Sequence, residues 1–160
     1  MAEIVLKDEE GNVVARGEIK RKRHVTETYA YRYQNAWMDW LKRTKSAATP
    51  KVFYALTELL KAGSSELYLS PLARKKIISD YGIKRGSLWS ALKELEDALI
   101  IIRSDVVDID TGDVIVPLRD GEMLLNPHVV WKGQFADRAA AVEEYDRYVE
   151  LIEKRRKYER

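Results

Sequence analysis

From Ser70 to Asp97 the chain places a helix-start signal, a single turn glycine and a leucine stripe in an order that few folds accommodate. Ser70-Pro71 opens a helix, because the serine hydroxyl accepts an orphan backbone N–H and proline's missing N–H costs nothing at the first helical position. Gly82, between Tyr81 and Ile83, takes a left-handed turn without a side-chain clash. Beyond it Leu88, Ala91, Leu92 and Leu95 recur at helical spacing and face inward. Lys84, Arg85, Gly86, Ser87, Trp89, Ser90 and Lys93 are left facing outward. The pattern predicts a helix to about Asp80, a tight turn, and a helix from about Arg85 to Asp97, which together form a helix-turn-helix. Four residues before the turn glycine stands Ile78, where this motif usually has alanine because the two helices touch there.

The flanks extend the motif. Thr49-Pro50 repeats the cap-plus-proline signal and predicts a helix to about Lys61, with Val52, Leu56, Leu59 and Leu60 buried, Phe53 beside them, and Ala62-Gly63 as the stop. Glu66 to Leu69 reads as a short strand. After the third helix come apolar segments at Leu99 to Arg103, Val106 to Ile109, Val114 to Val116 and Met123 to Leu125. Turn residues separate them, so a sheet of two or three strands follows. The expected fold class is α+β, a winged helix-turn-helix with an N-terminal β-hairpin arm and a C-terminal helix. The hairpin is Ile4-Val5-Leu6 and Val13-Val14-Ala15 around a polar connection. Tyr29, Tyr31 and Tyr33 alternate as in an extended segment that could pair with another strand, and Ala36 to Leu41 suits a short helix. A long helix from about Ala136 to Tyr158 carries Val142, Tyr145, Val149 and Ile152 on one stripe. The expected organisation is residues 1–35 as hairpin and basic, aromatic arm, 36–133 as the winged helix-turn-helix, and 134–160 as the C-terminal helix.

Charge and composition narrow the function. With 160 residues, 46% of them hydrophobic, the chain can bury a core of its own. The net charge is only +2, so what matters is where the cations lie. They cluster at Arg16 to Arg23, at Lys42 to Lys45, across Arg74, Lys75, Lys76, Lys84, Arg85 and Lys93, and at Lys154 to Lys157. That segregation suggests a basic face. Cysteine is absent and His24 and His128 are far apart in sequence, which leaves no disulfide framework and no local zinc signature. Asp105, Asp108, Asp110 and Asp113 do not follow the calcium-loop pattern, since the glycine placement and the closing glutamate are wrong. No Gly-rich phosphate loop or nucleophile–base pair is present, so the expectation is a protein that is not an enzyme and has no cofactor. No run approaches the roughly 18 apolar residues of a membrane span, and Met1-Ala2-Glu3 opens with an acid. A soluble, unexported, cytoplasmic protein is expected.

These residues point to double-stranded DNA as partner. The outward positions of the third helix would enter the major groove, Arg85 reading a guanine or holding a phosphate, while Arg74 and Lys75 would fix register on the backbone. Arg21, Lys22 and Arg23 in the arm are further candidate contacts. Trp89 either stacks on the nucleic acid or packs against the wing or a second subunit. Asn126-Pro127 would end the returning strand, its side chain bonding nearby backbone. From Trp37 to Tyr145 the chain also resembles the RepL-type plasmid replication proteins. It does so through Leu92-Lys93-Glu94-Leu95-Glu96 at the end of the recognition helix and through Asn126-Pro127 followed by Lys132-Gly133 after the wing. The resemblance implies recognition of a replication origin and recruitment of host replication proteins, without catalysis. A transcriptional regulator of plasmid or phage genes would show the same local motifs, and a protein-interaction module is the alternative from another class. A homodimer is expected, joined through the aromatic arm or the C-terminal stripe.

Overall fold

A computed structural model describes residues 2–19, 31–32 and 42–160. Among these, helices and small antiparallel sheets are mixed, an α+β fold. The first hairpin is β1 (Ala2–Lys7) against β2 (Val13–Ile19), its connection closed by the Asp8 carboxylate, which accepts from the backbone N–H groups of Glu10 and Asn12. β3 (Tyr31–Arg32) pairs with β9 (Val130–Trp131), so this stretch does find a strand partner. The short helix expected at Ala36 to Leu41 lies outside the described residues.

α1 spans Ala48–Leu59. Its start corrects the expected Thr49 cap: Ala47 takes the N-cap position, and Thr49 is buried in the first turn with its hydroxyl donating to Glu94. Ser46 supplies the capping oxygen instead, accepting from the Ala48 N–H at 3.2 Å. Leu59, expected in the buried stripe, is exposed because the helix ends there and Leu60, extended, turns inward in its place. β4 (Glu66–Tyr68) follows, then α2 (Pro71–Tyr81), with the Ser70 hydroxyl accepting from the Ala73 N–H at 3.0 Å as the sequence predicts. Gly82 closes α2 at φ 61°, and α3 runs Arg85–Asp97.

β5 (Ile101–Ile102) and β8 (Glu122–Leu125) complete a three-stranded antiparallel sheet with β4, in which β8 is central. Between β5 and β8 the chain makes a separate hairpin, β6 (Val106–Val107) with β7 (Val114–Val116). The last element is α4 (Phe135–Tyr158).

Two apolar clusters hold these elements. In the first, Val52, Phe53 and Leu56 of α1 meet Leu88, Leu92 and Leu95 of α3 over Ile101 and Leu125 of the sheet. Ile78 is only partly buried and packs at the edge of this cluster. In the second, Tyr145 and Tyr148 of α4 cover Ile102, Val106 and Leu124, with Val149 and Ile152 packed against them. The α4 stripe, expected as a subunit contact, therefore packs through Tyr145, Val149 and Ile152 on the β5, β6 and β8 strands of the same chain. Burial, together with a hydrogen bond to Glu144, pushes the Tyr148 phenol up to about 12.

Residues after α3 and between Asn126 and Gly133 act as fasteners. Leu99 follows α3 at φ 58°, and its carbonyl accepts from both the Tyr145 hydroxyl (2.9 Å) and the Asn126 amide (3.2 Å). Asn126 also accepts from the His128 N–H, the backbone bonding expected of it. Lys132 is buried, with its amine reaching the Glu58 carbonyl, and its own carbonyl takes the Gly63 N–H at 2.7 Å. Burial lowers the Lys132 pKa, against the opposing charge of Glu58. At Gly133, φ 125° and a Cβ position only 2.8 Å from the Gly63 nitrogen exclude any side chain.

Candidate nucleic-acid interface

α3 sorts its residues as the leucine spacing requires. Leu88, Ala91, Leu92 and Leu95 are buried, while Lys84, Arg85, Gly86, Trp89, Ser90 and Lys93 are exposed and Ser87 is half-buried. The opposite edge of the same helix is fixed. The Glu94 carboxylate accepts from the Lys45 N–H (3.0 Å) and the Thr49 hydroxyl (3.3 Å), and Glu96 pairs with Arg103 at 2.9 Å. Arg156, near the end of α4, donates to the carbonyls of Glu96 and Asp97, satisfying acceptors that the C-terminus of α3 leaves open. The exposed face is therefore carried on a helix anchored at three residues, Glu94, Glu96 and Asp97.

The N-terminus of α3 is electropositive. Lys84 is the N-cap, its side chain makes no capping hydrogen bond, and the first turn contains no acid. Unpaired N–H groups and the positive end of the helix dipole lie beside the Lys84 and Arg85 side chains. Among the described residues Lys75, Lys84 and Arg85 form no ion pair, whereas Lys93 pairs with Asp97 at 3.6 Å. Gly86 has ordinary helical geometry, and nothing lies within 4 Å of where its Cβ would stand. The fold thus has no need of a glycine there.

Arg74 and Trp89 sit together. The Arg74 guanidinium lies over the indole ring, 5.3 Å from its centroid, and one of its nitrogens is 3.5 Å from Asp120. Arg74, expected to fix register on the DNA backbone, is thus mostly buried against Trp89, and Trp89, 38% exposed, keeps one side against this cation. Arg103 and Arg119 line the same cleft, and the sequence reading missed both. Arg119-Asp120-Gly121 reads as a turn, and no spacing rule links it to α2 or α3. Arg21, Lys22 and Arg23 lie outside the described residues.

The acids of the β6–β7 segment are held by other groups. Asp110 is ion-paired to Lys154 of α4, and Asp105 accepts from the Leu118 N–H at 2.7 Å. Among the described residues no group of three or more acidic or histidine side chains is arranged to hold a metal ion, and no helix is long and apolar enough to cross a membrane. Comparison with protein-family models, with curated proteins and with solved structures finds no match for this chain.

Proposed function

We propose that the chain is a winged helix-turn-helix protein that binds double-stranded DNA in a sequence-specific manner, with α3 as its recognition helix. The order helix, strand, helix, turn, helix, strand, hairpin, strand, with the last strand central in an antiparallel sheet, supports the fold reading. The functional reading rests on one observation above all: α3 exposes Lys84, Arg85, Gly86 and Ser90 on a face outside the apolar core, while its other side is tied down at Glu94, Glu96 and Asp97. A rigidly held helix with cations that form no ion pair among the described residues, and small polar groups, at its N-terminal end suits the major groove.

The resemblance to RepL-type proteins carries the reading further, to initiation of plasmid replication at an origin with host replication proteins as partners. A transcriptional regulator shares the DNA chemistry, and iterated short repeats beside an AT-rich tract in the neighbouring DNA distinguish an origin from an operator. One recognition helix spans few base pairs, so pairing of two copies on the site belongs to this reading.

Fluorescence anisotropy with duplex DNA across a salt series tests it. Binding through phosphates weakens steeply as salt rises, with log K falling by about 0.9 per phosphate neutralised for each tenfold increase in salt. Absence of duplex binding, or affinity indifferent to salt, overturns the proposal in favour of a protein-interaction module.

A further inference from the structure

We infer that the cleft where α2, α3 and the β7–β8 connection meet is a seat for one phosphate of the DNA backbone, and that Asp120 occupies the cation of that seat in the free protein. The inference rests on the duplex-binding reading. The cleft, about 100 Å³, is lined by Arg74, Arg103 and Arg119 around the exposed edge of Trp89. That is room for a single oxyanion and too little for a nucleotide. Arg74 is the centre: its Nε is buried without a hydrogen-bond partner among the described residues, and its Nη2 lies 3.5 Å from the Asp120 carboxylate. A buried donor left without an acceptor is costly, and an oxyanion entering the cleft would supply one.

Asp120 is a weak substitute for that ligand. Its side chain is 92% exposed, so water screens the pair and little is lost when it opens. Its position is nonetheless fixed. Gly121 accepts the Leu69 N–H at 2.7 Å, and Glu122 donates to the Arg119 carbonyl, which pins this turn to the residue preceding the Ser70 cap of α2. The carboxylate, exposed and lining the cleft, thus stands where solvent reaches it. A backbone phosphate would displace it and place α3 in register without reading sequence. Asp120 would then act as a built-in competitor that holds down affinity for every duplex alike.

The full-length protein, its Asp120→Asn and Arg119→Ala variants, and a Trp89→Phe control decide the matter. Two ligands are used, duplex DNA and inorganic phosphate. Asp120→Asn should tighten binding to specific and scrambled duplexes equally, by about two- to fivefold, the range an exposed pair can contribute. Arg119→Ala, a change at an exposed side chain, should weaken both and reduce the slope of log K against log salt by about 0.9. Inorganic phosphate should change the tryptophan fluorescence of the wild type, more so in Asp120→Asn, and have no effect in Trp89→Phe. Unchanged duplex affinity in Asp120→Asn overturns the competitor role. Absence of a Trp89-dependent response to phosphate overturns the seat itself. If the wild type binds no duplex, the DNA reading fails, and the phosphate titration still decides the cleft.

Discussion

Gly86 is the residue at which fold and function separate most clearly. Glycine in a helix costs roughly 0.5–1 kcal/mol relative to alanine, and nothing around Gly86 repays that cost, since its φ is ordinary and its surroundings are open. In the proposed duplex-binding reading, close approach of the DNA to the α3 backbone accounts for it. Gly86→Ala should raise the stability of the free protein by about 0.5–1 kcal/mol in chemical denaturation and weaken duplex binding by about 1–3 kcal/mol, the cost of forcing a methyl into a tight contact. A variant that is stabilised and binds as before would place the DNA elsewhere. Gly133 is the opposite case, its side chain excluded by the Gly63 backbone 2.8 Å away, so its role is wholly structural.

Among the elements, α2 and α3 were the most legible in the sequence. Each has a local signal that tertiary packing left untouched: the Ser70-Pro71 start, the Gly82 stop and the Leu88, Leu92, Leu95 stripe. α1 was legible as a helix but not at its ends. Thr49-Pro50 has the form of a cap, yet Glu94, distant in sequence, takes the Thr49 hydroxyl, and Ser46 provides the capping oxygen. The Arg74 cleft was illegible for the same reason, since Arg103, Arg119 and Asp120 reach it only through the pairing of β5 and β8. The stripe on α4 was read correctly as apolar but its partner was not, because periodicity says that a face is buried and not against what. Removing α4 should therefore destabilise the protein and not simply separate subunits. A chain ending at Gln134 uncovers Ile102, Val106 and Leu124, a loss on the order of several kcal/mol, comparable with the whole stability of a small domain. Thermal unfolding followed by circular dichroism should show a large fall in Tm or no cooperative transition. A truncated chain that unfolds like the full one, while light scattering shows a dimer become a monomer, would restore the stripe as a subunit contact.

At the scale of the whole molecule, the ion pairs among the described residues leave some cations of α2 and α3 unpaired. The acidic hairpin is drawn to Lys154, Arg156 is spent on the end of α3, and Arg103 on Glu96, while Lys75, Lys84 and Arg85 make no ion pair among the described residues. This distribution, and not the net charge of +2, supports duplex binding. The most direct test enriches binding sites from a random duplex pool, then titrates wild type and Arg85→Ala against the enriched duplex and a scrambled one at physiological salt. The expected result is a wild-type preference for the enriched duplex of about 10³-fold or more, with Arg85→Ala losing about 1–3 kcal/mol on that duplex and little on the scrambled one. Equal affinity for the two duplexes, unchanged by Arg85→Ala, would contradict sequence reading by α3.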